Sequence, residues 1–280
     1  AAAGLGGVSL EALHPTVGKA TDQLEVSQRF QFAQDMWQGR LLDSAEVQFR
    51  ETLALAPDFA EAANNLGLVY ATQGEHEKAI DSYRKALSLR EDFAVAHMNL
   101  GLSLQAGNQV VEARQSLRRA LEIDPALPEA NDALGLLHAK MGDLVVAKSY
   151  FKKETEVNPG FAEGFNHLGL IHLSLNETQG ALAPLRTSVA LEPQKADAFN
   201  NLGVAYKRLG RLEEAGQAFE ESVRAGPRFV PGLINLGLHY LNAGKLVEAE
   251  QKLADALALQ PNSPKIRRDL SRVRSLLGRK

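Results

Sequence analysis

Residues 60–93, AEAANNLGLVYATQGEHEKAIDSYRKALSLREDF, contain the pattern that determines the fold. Leu66 and Tyr70 are four residues apart, which places them on one face of a first helix. A Gln-Gly turn interrupts that helix, and Ala79 and Tyr83 repeat the spacing on a second helix. The stretch therefore predicts two helices joined by a tight turn.

The same pattern returns every 34 residues along the chain. A Leu-Gly pair recurs at Leu66-Gly67, Leu100-Gly101, Leu134-Gly135, Leu168-Gly169, Leu202-Gly203 and Leu236-Gly237. An alanine column holds Ala45, Ala79, Ala113, Ala147, Ala181, Ala215 and Ala249. A column of large apolar residues holds Phe49, Tyr83, Leu117, Phe151, Leu185, Phe219 and Leu253. Prolines close all copies but one, where Glu91 stands instead, at Pro57, Pro125, Pro159, Pro193, Pro227 and Pro261.

Small residues in this pattern have a steric purpose. Gly67 and Ala79 allow two helix backbones to approach closely, while larger neighbours fill the remaining volume. One such helix pair cannot bury its apolar face alone, so the copies must stack on one another. The sequence therefore predicts an all-α repeat protein.

These columns resemble those of the tetratricopeptide repeat (TPR) family over Val26 to Ser263. The resemblance implies an α-solenoid, a right-handed superhelix of antiparallel helix pairs whose first helices line a concave face. The first copy departs most from the family pattern, since Phe32-Ala33 replaces Leu-Gly and Met36 replaces Tyr. We expect an N-terminal extension over 1–25, seven repeats over 26–59, 60–93, 94–127, 128–161, 162–195, 196–229 and 230–263, and a basic capping helix over 264–280.

Both ends of the array differ from the repeats. The extension is expected to be disordered up to about Leu13 and helical from near Pro15. In the capping helix Ile266, Leu270, Val273 and Leu277 form one apolar stripe, and the opposite face is basic. These features suit the ends of a stacked array.

Composition excludes several classes of protein. The chain has 280 residues, a formal net charge of −3, 45% hydrophobic residues and no Cys, which indicates a folded, soluble protein without any thiol-based site. No apolar run reaches the roughly 18 residues that a transmembrane helix needs. The start carries no intact signal peptide. The sequence does not determine the compartment: it slightly favours the cytoplasm, and an extracytoplasmic location stays open if the N-terminus is processed.

Motifs for catalysis are missing. The stretch Gly237–Lys245 resembles a phosphate-binding loop but has the wrong glycine spacing and lacks the final Ser or Thr. His138 and His172 occupy the tyrosine column, so we interpret them as packing residues and not as metal ligands. We therefore expect no enzyme activity, no metal and no cofactor.

Two columns on the first helices are candidates for binding. An asparagine column holds Asn65, Asn99, Asn201 and Asn235. Ala133 and His167 interrupt it, and His167 is also a candidate binding residue. An apolar column holds Leu68, Leu102, Leu136, Leu170, Val204 and Leu238. The resemblance places both on the concave face. The asparagines are similar to the ladder in the TPR arm of O-linked N-acetylglucosamine transferase, which grips extended peptide backbone.

An amide both donates and accepts, so it can bind peptide backbone of any sequence. Hydrogen bonds of about 0.5–1.5 kcal/mol each set the path of a peptide, and the apolar column must supply most of the affinity. A micromolar complex, about −8 kcal/mol, is expected. The alternative is that the asparagines bond the helix backbone or neighbouring repeats.

A basic stripe on the second helices is a second candidate docking surface. It consists of Arg84, Lys85, Arg118, Arg119, Lys152 and Lys153. The stripe is either a solvated convex face or a site for an acidic partner.

We therefore expect a non-enzymatic scaffold that holds an extended or helical segment of another protein. The alternative is a self-assembling structural protein whose terminal segment docks into a neighbour's groove, so that a homo-oligomer stays open. Nucleic acid is not expected as a partner, because the net charge is slightly negative.

Two residues conflict with the repeat pattern. Pro184 lies inside a predicted second helix, which predicts a kink or a late helix start. Glu154 stands in a column of small residues, and we expect it to escape to solvent instead of pairing with His138 or His172.

Overall fold

The computed structural model describes residues 20–279, with side chains from residue 23 onward. Expectations for residues 1–19, including disorder to Leu13 and a helical start near Pro15, lie outside the described residues. The described residues form fifteen α-helices and no strand. The prediction of an all-α repeat fold is confirmed.

The chain divides into two compact units, one ending at Lys140 and the other beginning at Met141. The first unit contains α1 Ala20–Gln38, α2 Leu42–Leu55, α3 Ala60–Thr72, α4 His76–Leu89, α5 Ala94–Ala106, α6 Val110–Ile123 and α7 Ala130–Lys140. The second unit contains α8 Leu144–Val157, α9 Ala162–Ser174, α10 Thr178–Leu191, α11 Ala196–Arg208, α12 Leu212–Ala225, α13 Val230–Asn242, α14 Leu246–Leu259 and α15 Pro264–Leu276.

Within each unit, every helix packs against the next one along the chain. The first helices of successive repeats also contact one another, as α3 and α5 do in the first unit and α11 and α13 in the second. A helix that contacts both its neighbour and its next equivalent is the packing that stacked repeats require.

The Leu-Gly pairs allow the two helices of each repeat to approach closely. A Cβ atom on Gly67 would lie 2.5 Å from Cε1 of Tyr83, and a Cβ on Gly203 would lie 2.5 Å from Cε1 of Phe219. Tyr83 and Phe219 are fully buried. Glycine is therefore required by contact with the large residue of the second helix, and not by backbone conformation.

Turns between the two helices of a repeat need a left-handed residue. Gly74 and Gly210 supply it with φ of 81° and 73°, whereas Asn108 and Asn176 do so with φ of 60°. Asn adopts this conformation more readily than other residues with a Cβ.

Helix α15 has the apolar stripe that the sequence predicts. Ile266, Leu270 and Val273 are buried, and Leu277 packs at the edge of the cluster. The Ser263 hydroxyl accepts a hydrogen bond from the backbone N–H of Ile266 at 3.5 Å and caps the helix.

Pro184 does not delay its helix, so the predicted late start is wrong, and the alternative of a kink stays a prediction. Helix α10 runs continuously from Thr178 to Leu191 with Pro184 buried inside it. Ala181 and Leu185, on either side of the proline, are completely buried in the core of the second unit. We attribute the continuity of the helix to this packing, which offsets the hydrogen bond that proline cannot make.

Glu154 is completely buried, so the expectation that it reaches solvent is wrong. Asn158 donates a side-chain hydrogen bond to its carboxylate at 3.2 Å. Room is provided by Gly164, since a Cβ there would lie 3.3 Å from Cγ of Glu154. Gly232 leaves room for Ser222 in the same way, since a Cβ on Gly232 would lie 2.6 Å from Oγ of Ser222. Glu154 and Ser222 are thus each matched by a glycine ten positions later.

Candidate functional site

The asparagines of the first unit connect neighbouring repeats. Asn99 Nδ2 donates to Asn64 Oδ1 at 3.0 Å, and Asn64 Nδ2 donates to Asn65 Oδ1 at 3.1 Å. All three side chains are buried. The bond between Asn99 and Asn64 joins α5 to α3.

The second unit repeats this arrangement. Asn201 Nδ2 donates to Asn166 Oδ1 at 2.9 Å, and Asn235 Nδ2 donates to Asn200 Oδ1 at 2.8 Å. Asn166 in turn donates to Asp197 Oδ2 at 3.1 Å. Donor and acceptor of each Asn–Asn pair are 35 residues apart, as they are in the first unit.

The interpretation that these asparagines bond neighbouring repeats is confirmed for these three pairs. Binding of a peptide by the same column stays a prediction. The peptide would have to bond those side-chain amide atoms that do not take part in the Asn–Asn bonds. The acceptors form a second, partial column, whose role the sequence did not predict: Asn64, Asn166 and Asn200. The available signal was that each of its members precedes another Asn by 35 residues.

The apolar column, which we name the leucine row, is the more accessible of the two. Leu102 and Leu136 in the first unit are 40% and 38% exposed, and Leu170 in the second is 37% exposed. Leu68 of the first unit and Val204 and Leu238 of the second are partly buried. Each unit therefore presents apolar side chains at one repeated position of its first helices.

Acidic residues that begin the first helices are held by basic residues of the same unit. Arg90 pairs with Glu61 at 2.6 Å, and Lys195 pairs with Glu163 at 2.6 Å. The hydrogen bond from Lys195 lowers the pKa of the Glu163 carboxyl, and Glu163 raises the pKa of Lys195. These carboxylates are thus internal ion-pair partners.

Half of the basic stripe is neutralised by nearby carboxylates. Arg84 pairs with Glu112 at 3.1 Å, Arg119 with Glu122 at 3.2 Å, and Lys152 approaches Glu156 at 3.8 Å. Within the described chain no ion pair is found for the other three, Lys85, Arg118 and Lys153. All six side chains are exposed, four in the first unit and two in the second.

His172 makes a hydrogen bond and His167 packs against an aromatic ring. His172 Nδ1 lies 2.6 Å from Glu177 Oε2, and Lys148 also pairs with that carboxylate at 2.7 Å. The His167 ring contacts Phe151 with centroids 5.4 Å apart. Across residues 20–279 no three potential ligands come together as a metal site would require. Nor does any helix in that range have the length and hydropathy to cross a membrane.

Comparisons with known proteins agree with this geometry. Sequence models of the tetratricopeptide repeat match residues 60–93, 94–127 and 196–229, and a TPR repeat model matches residues 169–210. No curated protein sequence matches the chain.

Solved structures of repeat proteins resemble it over most of its length. The Cut9–Hcn1 hetero-tetramer of the APC/C matches with a TM-score of 0.69 and 19% identity, over 83% of this chain and 48% of the matched one, so the chain spans about half of that relative. PilF of Pseudomonas aeruginosa matches with a TM-score of 0.68 and 22% identity, over 76% of this chain and 96% of PilF. YrrB, described as a TPR protein with an unusual peptide-binding site, matches with a TM-score of 0.55 and 23% identity, over 65% of this chain and 94% of YrrB. The repeat period, the helix packing and these matches together show that the chain belongs to the tetratricopeptide repeat family.

Proposed function

We propose that the chain is a non-enzymatic interaction scaffold whose leucine row holds an extended or helical segment of another protein. The observation that carries the proposal is the exposure of Leu102, Leu136 and Leu170 at one repeated position. Apolar side chains that recur on successive first helices form a contact surface, whereas single exposed leucines need no explanation. Within each unit, a ligand segment would cover the leucines of that unit.

In this proposal the asparagine column and the leucine row have different roles. Bonds such as that from Asn99 to Asn64 keep successive first helices in register. The leucine row then supplies the affinity, because covering apolar surface contributes about 25 cal/mol per Å². YrrB, which resembles this chain in fold, supports a peptide as the class of ligand.

The test is affinity capture from a lysate of the source organism, with wild type and a Leu102→Ser/Val204→Ser variant compared side by side. Asparagines are left intact, because changing them would also break bonds between repeats. A matched control is Val111→Ser/Val145→Ser, since these valines are 63% and 69% exposed on second helices. All variants must first show equal helicity.

A partner captured by wild type and control but lost in the leucine-row variant supports the proposal. The segment responsible is then located with overlapping peptides of that partner, and each serine is expected to weaken its binding by about tenfold, or about 1.4 kcal/mol. Equal capture by all three proteins contradicts the proposal. It would direct attention to the basic stripe, where Lys85 and Arg118 are proposed as contacts for an acidic partner.

Self-assembly is the second candidate, and an apolar cleft favours it. Phe32 and Val47, 49% and 51% exposed, line a cleft of about 370 Å³ between α1 and α2 together with Met36. A terminal segment of a neighbouring copy could dock there. Sedimentation over a range of concentrations tests this, because Phe32→Ser/Val47→Ser should abolish any concentration-dependent mass.

A further inference from the structure

Helix α15 stands at the position of a first helix in the repeat, but the face that a second helix would cover carries polar residues. Arg267, Ser271 and Arg274 lie one period after Leu233, Gly237 and Tyr240. In the repeats of the second unit this position is covered by a second helix. A Cβ on Gly203 would meet Phe219 at 2.5 Å, and one on Gly237 would meet Leu253 at 2.8 Å.

A cleft of about 520 Å³ lies on α15 at this seat, the position that a second helix takes in the repeats. Leu257 and Leu270 supply its apolar surface, and the side chains of Arg267, Arg274 and Arg279 line it. Leu270 is buried and the three arginines are exposed. The seat thus combines an apolar floor with guanidinium groups.

One carboxylate of the chain already uses two of these arginines. Arg274 Nε donates to Glu250 Oε1 at 2.8 Å, and Arg279 donates to Glu250 Oε2. The Glu250 side chain is only 15% exposed. The third arginine, Arg267, donates to the backbone carbonyl of Pro261 at 2.9 Å. Three guanidinium groups against one carboxylate leave the cleft with an excess of positive charge.

We propose that this cleft binds an acidic amphipathic helix of a partner protein, seated where the second helix of a repeat would lie. An apolar helix would leave the charged arginines desolvated and unpaired, which is costly. Carboxylates on the ligand would instead form bidentate pairs with them. Arg267 and Arg274 are seven residues apart, about 10.5 Å along the helix, so acidic residues two turns apart on the ligand match them.

The proposal does not depend on the leucine row, because the cleft lies on other residues. Its test uses the full chain and a fluorescent helical peptide of about 18 residues, with two Glu two turns apart and leucines between them. A second peptide carries Gln in place of both Glu. Fluorescence anisotropy measures binding at about 0.05 M and 0.5 M salt.

Three variants are expected to weaken, leave unchanged and tighten the binding of the peptide, respectively. Arg267→Gln/Arg274→Gln should weaken binding of the Glu peptide at least about tenfold, because both charge-assisted pairs with the ligand carboxylates are lost. Arg268→Gln/Arg272→Gln removes the same charge from the same helix outside the cleft and should change binding by less than about twofold. Glu250→Gln should tighten binding about threefold, because it removes the internal competitor for Arg274 and Arg279.

Several results would overturn the proposal. Equal loss in both arginine double variants would mean that only general charge matters, and equal binding of the Gln peptide would mean that the carboxylates are not recognised. Unchanged or weaker binding by Glu250→Gln would show that Arg274 and Arg279 do not serve a ligand. Binding to vesicles with about one phosphatidylserine in five lipids, but not to the peptide, would make the face a membrane-surface site.

Discussion

Asn99 donates its side-chain amide to Asn64 over 3.0 Å, although 35 residues separate them in sequence. The same separation joins Asn201 to Asn166 and is therefore a property of the repeat. The asparagine column is first a connection between successive first helices, whatever else it binds. This gives it a measurable role in stability.

Replacing Asn99 with Ala should destabilise the first unit by about 1–3 kcal/mol, because the buried Asn64 carbonyl loses its donor. Urea denaturation followed by circular dichroism measures the change. Asn242→Ala, at an exposed helix end, is the control and should shift the free energy of unfolding by less than about 0.5 kcal/mol. Equal stability of the two variants would show that the amide bond contributes nothing.

Gly67→Ala should destabilise the fold by about 1–3 kcal/mol. Its Cβ would lie 2.5 Å from Cε1 of Tyr83, and that ring is 1% exposed and has no room to move. The steric cost should exceed the gain of about 1 kcal/mol that Ala brings to a helix. Gly160→Ala is the control, because nothing lies within 4 Å of its Cβ position. If Gly67→Ala melts at or above the temperature of wild type, the close-contact explanation is wrong.

Asn131→Leu should stabilise the chain. Asn131 is completely buried, and neither its amide nitrogen nor its oxygen has a hydrogen-bond partner. Equivalent positions hold Ala63 and Leu233, which shows that the site suits apolar side chains. An apolar residue of similar volume should add about 1–3 kcal/mol to the free energy of unfolding. Asn166→Leu, which breaks a paired amide, should have the opposite sign, and a loss of stability in both would refute the argument.

The Glu163–Lys195 pair should make stability depend on pH in acid. Lys195 holds the pKa of the Glu163 carboxyl below its usual 4.5, so the folded state is favoured above that pH, and this contribution is lost as the pH falls through the lowered pKa. The difference in stability between wild type and Glu163→Gln should therefore shrink between neutral pH and about pH 3. Glu213→Gln, on an exposed helix surface, is the control and should show no such change.

The repeat pattern predicted the helices because it is local. The spacing of Leu66, Gly67 and Tyr83 is enough to place two helices in contact, and the structure confirms that contact. The late helix start expected at Pro184 is wrong because the expectation considered a single helix without the buried residues around the proline. Its tertiary packing overrides the local preference of proline.

Glu154 and the asparagines show a different limit of the sequence. The fate of Glu154 depends on a glycine ten residues later, and the role of Asn99 depends on Asn64 in the preceding repeat. Both relationships appear only when columns are compared between repeats instead of within one. What the leucine row binds is not encoded in such columns, because it depends on a partner's chemistry.

Bonds that always reach back 35 residues also affect how such a gene can change in length. If residues 167–200 were deleted, Asn201 would follow Asn166 directly, and Asn235 would find Asn166 at the separation it now has from Asn200. Asn201 would then have Asp132, another side chain with an acceptor oxygen, 35 residues before it, and the Leu-Gly period would be unbroken. A recombination event that removes or adds one whole period therefore leaves a chain with matching contacts at the junction, whereas any other length leaves donors and acceptors out of register.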